Sequence, residues 1–586
     1  MQKFKHLSHS SLSIALLGLL APGLLVAQTP DAGSLLRDIE TQDRGIDRLP
    51  STGSQLPPAM PDTGATVQLR SIRFQGHEGM ATENELQTLV GEEIGRQLGF
   101  NGLQHIADRV TEYLKNKGYF LAYAYLPEQD ISEGDLLILI QPGRIEGEGR
   151  WQRNPTAGQG INLSSDRIFN TLNHSLRADS DGIVRANQME RGLLIFNDLA
   201  GVSARSNLEA GSEPGTTRVS VNFTATPRYT GNAWVDNYGN RYTGTWRANA
   251  MGNINNLSGM GDQLNAMVSK TSDLTYARMG YNTPVGYSGL TFNAGLSYMQ
   301  YELGKELRSS DLSGEAMTAN AGLRYPIIRT RQNNLYVTGN LDYKLLEDKQ
   351  GTVQLRDRKY TNLTLGLNGD KLDQWQGGGL TNYGVSFTSG DLDRKGNSGD
   401  YDQDQATAKT HGAFTKANLN AARLQKLAAS TSLLMSASGQ YTENNLDSAE
   451  KFALGGPNGV RAYPGGEASG DQGYILTLEG RYDLPGLVVW GGNIQLNAFI
   501  DHGSITLQAD KWATYDPKNV NTNGQNSYSM TGAGIGFNWS QAQKFSVRAS
   551  YAHKINDSVD DRSTSGRDSE NQKNDGRFWL QAMAWF

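Results

Sequence analysis

The sequence predicts a membrane β-barrel of sixteen antiparallel strands, preceded by two small α+β units, a short N-terminal helix and a proline-rich linker. Three observations predict it. From residue 229 onward the chain divides into sixteen strand-like stretches rich in Tyr, Trp, Thr, Asn and Gly. Connections after even-numbered stretches are about 2–10 residues long, while from the fifth stretch onward those after odd-numbered ones run to about 12–29. Within the stretches, apolar and polar residues alternate, which is the two-residue period of a strand with two different faces. Short turns on one side, long loops on the other and an even count describe a cylinder that closes in an outer membrane.

Composition agrees with this class. The chain has 586 residues and a mean hydropathy of -0.53. Beyond the N-terminus it holds no apolar run long enough for a spanning helix. Barrel strands average out as hydrophilic because only one face meets lipid. There is no cysteine, which excludes a disulfide scaffold, a thiolate metal site and a cysteine nucleophile. A net charge of -6 offers no basic excess to neutralise phosphates, so nucleic acid is not an expected partner.

The elements follow in chain order. Lys3 and Lys5, the apolar stretch 11–26 and the small Ala27 read as an export signal over residues 1–27. Residues 31–44 form a short helix with Leu35, Leu36 and Ile39 on one face, marginal in water by itself. Residues 49–64 carry Pro50, Pro57, Pro58 and Pro61. About 16 extended residues reach roughly 50–55 Å, enough to cross a membrane, although a disordered export leader fits the same composition.

Residues 67–226 read as two units of the order strand–helix–helix–strand–strand. In the first, 67–74 is a strand, and Thr82 with Glu85 forms a capping box that opens a helix. A second helix carries Leu103, Ile106, Val110 and Leu114 on one stripe and ends at Gly118. Strands at 119–126 and 136–141 follow. The second unit places a strand near residue 145, helices at 166–176 and 187–198, and strands at 202–208 and 217–226. Neither unit holds paired carboxylates, metal-spaced histidines or a phosphate loop. Their free edge strands offer strand addition to an extended partner; simple spacers are the alternative.

The barrel strands are expected at 229–239, 241–252, 262–272, 274–283, 289–300, 315–325, 334–345, 358–370, 379–390, 407–420, 430–442, 472–483, 494–504, 528–540, 543–553 and 576–586. In the twelfth, Tyr474, Leu476, Leu478 and Tyr482 oppose Thr477, Glu479 and Arg481. In the thirteenth, Ile494, Leu496, Ala498 and Ile500 oppose Gln495, Asn497, Phe499 and Asp501. A charge facing lipid at mid-depth costs several kcal/mol, so Glu479, Arg481 and Asp501 are expected in the lumen.

Between the eleventh and twelfth strands lies a loop, 443–471, centred on Val460-Arg461-Ala462-Tyr463. A loop that long is functional or disordered. An arginine between apolar side chains suits a loop folded into a cavity; spacing alone also accommodates a solvated one.

Signal, helix, linker, paired α+β units and sixteen strands together resemble a two-partner secretion transporter (the TpsB type) of the BamA-like superfamily. The resemblance covers the whole mature chain. Its sharpest signatures are Gly118–Leu126 with Pro127, the loop tip Val460–Tyr463, and Phe499-Ile500-Asp501-His502-Gly503. Alanine at 462 departs from the glycine usual in the family, which asks for an ordinary backbone conformation there.

The resemblance implies a domain order of plug helix (28–48), linker (49–66), POTRA domains (67–142 and 143–226) and barrel (227–586). It implies that the loop folds into the lumen, where Arg461 pairs with Asp501. It implies that the POTRA domains lie in the periplasm and catch a secreted exoprotein through its N-terminal secretion domain. No cofactor, metal or nucleotide is expected, and outer-membrane lipid surrounds the barrel. A general β-barrel insertase is the alternative, although such proteins carry more POTRA units. Asp501, His502 and Ser504 invite a hydrolase triad. Alternation is expected to turn His502 away from Asp501 and Ser504, so no enzyme is expected.

Overall fold

The computed structural model describes residues 29–40, 66–145, 152–153, 161–175, 185–213, 216–517, 524–556 and 567–586. The expected export signal lies outside these, as does the linker apart from Thr66.

Helix α1 (Ala32–Glu40) falls within the expected 31–44, of which residues 41–44 lie outside the described residues. In the first periplasmic unit, the single strand expected at 67–74 is two. Thr66–Gln68 pairs antiparallel with Gln97–Gly99, while Ser71–Gln75 runs parallel to Asp135–Gln141. The break falls where the chain changes partner. Helix α2 (Glu83–Val90) opens on the expected capping box, in which Thr82 and Glu85 each satisfy the other's backbone N–H. Helix α3 (Phe100–Asn116) buries Leu103, Ile106, Val110 and Leu114. The chain then reverses through Gly118 at a φ of +97°, which a side chain would disfavour. Tyr123–Tyr125 forms one free edge of the three-stranded sheet and Ser71–Gln75 the other.

The second unit packs α4 (Ser165–Ser175) and α5 (Ala186–Asn197) on the hairpin Val202–Ala210 and Thr216–Ala225, around Ile168, Leu172, Phe196, Val219 and Phe223. It is bolted to the barrel's short turns. The Arg167 guanidinium donates to the carbonyls of Pro284 and Met260, and Arg191 donates to that of Pro326. Arg329 grips Asp198 bidentately at 2.7 and 2.9 Å. These contacts seat the second unit on the short-turn end of the cylinder, the end expected to face the periplasm.

The barrel strands are β1 (Tyr229–Asp236), β2 (Arg247–Asn255), β3 (Gln263–Lys270), β4 (Leu274–Val285), β5 (Leu290–Glu302), β6 (Leu312–Arg329), β7 (Asn333–Gln350) and β8 (Val353–Asp373). They continue as β9 (Gly379–Asp393), β10 (Gly412–Lys426), β11 (Thr431–Tyr441), β12 (Gln472–Val489), β13 (Gly492–Thr506), β14 (Ser527–Gln541), β15 (Phe545–Asn556) and β16 (Gly576–Trp585). All sixteen pair with their neighbours, and β1 pairs with β16 to close the sheet. At the seam, Gly231 and Phe586 exchange both backbone hydrogen bonds, so the final residue takes part in closure.

The outer wall is apolar. Leu365, Phe387, Leu419, Leu476 and Ile535 all stand exposed, with Ile535 at 67%, which water would penalise and lipid accommodates. Trp375 and Trp490 mark the periplasmic rim and Trp246 the outer one, as in an interfacial aromatic girdle. One connection departs from the expected parity. A long loop was expected between the seventh and eighth strands, but β7 and β8 run for 18 and 21 residues and meet in a tight turn at Gly351 and Thr352. Their pairing continues above the membrane, where both faces are polar and alternation no longer distinguishes strand from loop.

Candidate functional site

The segment 442–471 turns inward and fills the upper lumen. It pins its own base with a two-strand clip, Phe452–Ala453 against Ser469–Gly470. Its tip builds a small core in which Leu454, Val460, Ala462 and Tyr463 pack on Ile475, Phe499, Ile505, Met530 and Ala552 of the wall. Two wall glycines make room. A Cβ on Gly532 would meet the Ala462 Cβ at 2.5 Å, and one on Gly503 would meet Leu454 at 3.0 Å. Ala462 itself is outside the positive-φ region, so alanine needs no special backbone there.

At the tip, Arg461 Nε donates to Asp501 Oδ2 at 2.8 Å and Nη2 to Oδ1 at 2.9 Å, a side-on fork. The Arg461 backbone N–H adds a third bond to Asp501 at 3.2 Å. Nη1 donates to Glu479 Oε2 at 2.6 Å, and Arg481 holds the other oxygen of Glu479 at 2.8 Å. The guanidinium carbon lies 3.3 Å from the centre of the Phe499 ring, a cation–π contact. All nine residues singled out in the sequence therefore meet within one cluster or border it. The sequence reading did not anticipate Glu479 as a direct partner of Arg461. It also missed Thr477, which donates to Asp501, and Trp579, whose indole N–H donates to the Arg461 carbonyl at 2.7 Å.

The apparent triad dissolves. Asp501 faces the lumen and is engaged by Arg461, whereas His502 turns outward and bonds Thr531 at 2.8 Å. Ser504 shares the outward face of His502, correcting the expectation that they oppose each other, because residues two apart on a strand point the same way.

A second anchorage escaped the sequence reading altogether. Arg358, fully buried on β8, contacts Asp447 of the loop at 2.8 Å, Asp31 at 3.2 Å and Asp348 of β7. Arg394 binds Asp447 from the other side at 3.0 Å, and Tyr360 also donates to Asp447. The aspartates Asp400 and Asp404 in α6 (Ser398–Ala406) surround Arg394. Glu450 of the loop lies between Lys344 and Lys416 at 3.1 and 2.7 Å. One signal was available: Arg356, Arg358 and Tyr360 share a face by alternation, and a buried cation on a luminal face needs a carboxylate.

Helix α1 lies beside the loop inside the barrel. Ala32, Leu35 and Leu36 are buried against Leu274, Tyr276, Met299, Tyr301 and Leu346. Its N-terminal end is toward the outer side: Asp31 accepts from Arg356 at 3.0 Å and from Ser448 at 2.7 Å, and the Ala32 N–H donates to Asp348 at 3.0 Å. Arg37 donates to the Ser448 carbonyl and to Ser469, both in the loop. A Cβ on Gly33 would meet Ser448 at 2.6 Å, so helix and loop are in close contact.

The loop is also tied from outside. Ser569, in the connection between β15 and β16, donates its N–H to Glu467 at 2.6 Å. Burial beside Glu467 and Glu570 pushes the neighbouring Asp568 carboxyl up to about 6, against the pull of the Gln572 N–H and Arg577. A carboxyl raised above its unfolded value near 3.9 favours the folded loop fully below that value and loses the contribution as pH rises through about 6. After correction for intrinsic exchange, amide protection across 567–575 is expected to fall between pH 5 and pH 7. Asp568→Asn should remove that dependence; an unchanged profile in the variant would count against it.

Residues 215–539, more than half of the chain, match the family model described as haemolysin secretion/activation protein ShlB/FhaC/HecB. Residues 67–143 match the ShlB-type POTRA domain. The heme/hemopexin transporter protein HuxB of Haemophilus influenzae is 26% identical, with 97% of each chain covered. The outer membrane transporter CdiB of Dickeya dadantii is 25% identical over 75% of this chain and 77% of its own. The solved structure of CdiB from Escherichia coli superposes with a TM-score of 0.67 at 21% identity, covering 94% of this chain and 95% of that one.

Proposed function

The chain belongs to the haemolysin secretion/activation protein family ShlB/FhaC/HecB and is an outer-membrane transporter of two-partner secretion, and we propose that α1 and the inserted loop are the parts that open it. The POTRA domains lie in the periplasm, and the barrel passes a partner exoprotein to the cell surface.

The observation that carries the mechanism is that two separate segments fill the lumen, each fastened by ion pairs rather than by covalent or continuous sheet contacts. Such fastenings hold geometry firmly yet exchange partners without unfolding the wall. The POTRA edge strands, Tyr123–Tyr125 and Val202–Ala210, accept the exoprotein while it is extended. Arriving chain displaces α1, and Arg461 on Asp501 and Glu479 keeps the loop tip against the wall while transport proceeds. No nucleotide-binding motif is present in the sequence, and folding of the exoprotein outside supplies the direction. The chain acts as a conduit and not as a catalyst, set in outer-membrane lipid. An insertase role has less behind it, because the tethered helix serves to gate a passage.

Deleting residues 31–44 is expected to raise single-channel conductance in planar bilayers several-fold, since α1 occupies part of the conducting cross-section. Unchanged conductance would mean that α1 does not obstruct the pore.

A further inference from the structure

The luminal wall is not uniform. A cavity of about 810 Å³ runs beside α1 and beneath the loop tip. On the side of β10 to β15 it is lined by amides and hydroxyls, among them Asn418, Asn420, Ser436, Ser438, Asn497 and Asn538. These offer an extended chain hydrogen bonds, with apolar groups such as Ala422 and Leu434 interspersed among them. Opposite them is the shelf under α1, where Leu274, Tyr276, Met299, Tyr301 and Leu346 are each at most 4% exposed, in one cluster with Ala32, Leu35 and Leu36 of the helix and Leu446 and Ala449 of the loop. The shelf lies in the outer half of the barrel, on strand ends that lead to the outer loops. Arg356, 44% exposed, stands at its rim and Arg358 behind it.

If α1 leaves, this shelf meets water. Exposing large apolar side chains to water is unfavourable in proportion to the area uncovered. Arg356 simultaneously loses Asp31, its nearest carboxylate. We propose that the shelf is a binding station for the exported exoprotein, taken over from α1 by a segment with adjacent large apolar residues and a carboxylate about one helical turn before them. Residues 31–36 display that pattern: Asp31 meets Arg356 and Arg358, and Leu35 and Leu36 meet the shelf. In the open lumen the passing chain is the polypeptide positioned to cover it, and its apolar segments find only scattered hold on the amide wall. The station holds the exported chain near the exit and opposes its sliding back. This rests on the reading that α1 leaves the lumen.

The test is epistasis in the full chain. With 31–44 deleted, the shelf faces water, so Met299→Asn with Leu346→Asn replaces apolar surface that folding no longer needs. Secretion of the exoprotein by this chain is expected to fall roughly tenfold below that of the deletion alone, about 1.4 kcal/mol of lost hold. Heat-modifiability on gels reports the amount of folded barrel. Should the asparagine pair reduce that amount, alanine at the same positions takes its place. A second arm needs no exoprotein: a synthetic peptide of residues 31–40 should lower the conductance of the deleted channel, and the same peptide with Leu35→Ser and Leu36→Ser should not. Equal secretion from deleted chains with intact and polar shelves would overturn the proposal while leaving the plug reading in place. A deletion that leaves conductance unchanged would instead remove that reading, and the proposal with it.

Discussion

Arg461→Ala is expected to abolish most secretion while the barrel still inserts and remains heat-modifiable. The substitution leaves Asp501, fully buried, and Glu479, 7% exposed, facing the space of a missing guanidinium. Removing one member of a buried pair costs about 3–5 kcal/mol, because the remaining charge has lost its partner and cannot regain water. That shifts the loop from its seat by at least a hundredfold in equilibrium. The wall itself is held by sixteen continuous ladders and does not depend on the contact. Arg461→Lys should fall between, since an ammonium cannot reproduce the side-on fork. Exchanging the charges, Arg461→Asp with Asp501→Arg, should recover part of the secretion lost by each single change. Recovery will be incomplete, because the new carboxylate at 461 is placed beside Glu479. Adding Glu479→Gln should improve it. Secretion by Arg461→Ala at the level of the unmodified chain would eliminate the clasp as a functional element.

Arg358→Gln should open the channel without any deletion. Arg358 touches the helix end, the loop and the wall together, through Asp31, Asp447 and Asp348. Neutralising it leaves three carboxylates around one site, with Arg356 on Asp31 and 4.0 Å from Asp348, and Arg394 on Asp447. The loss is again on the order of 3–5 kcal/mol, shared between the helix and the loop. Conductance is expected to approach that of the chain lacking 31–44. The chain has no native cysteine, so Asn458→Cys provides a single position for a nitroxide label. Its spectrum should sharpen in Arg358→Gln as the loop loosens. Asp31→Asn should raise conductance but sharpen the label less, because Asp447 of the loop stays on Arg358 and Arg394. A closed channel in Arg358→Gln would show that apolar packing on the shelf holds α1 without help.

The parts of this protein that were legible in its residues are those governed by local rules. A two-residue period makes the face of a strand residue a matter of counting, so Glu479, Arg481 and Asp501 could be assigned to the lumen before any coordinates. The same period should have placed Ser504 beside His502. Where both faces of a strand are polar, as at the outer ends of β7 and β8, the period carries no signal, and a tight turn was taken for a long loop.

By itself the sequence determined the strand count and the inward direction of the charged faces, while the Arg461–Asp501 pairing came from the family resemblance. Only the tertiary structure decided that Asp31, Asp348 and Asp447 converge on Arg358, and that α1 and the loop share one fastening. The reason is physical. Alternation orients a side chain toward the lumen but says nothing about what lies across it; that depends on barrel closure, on where a long loop descends, and on a helix joined to the barrel only through the periplasmic units. Those three separate placements bring distant carboxylates to one buried cation, and each depends on packing that no local pattern encodes.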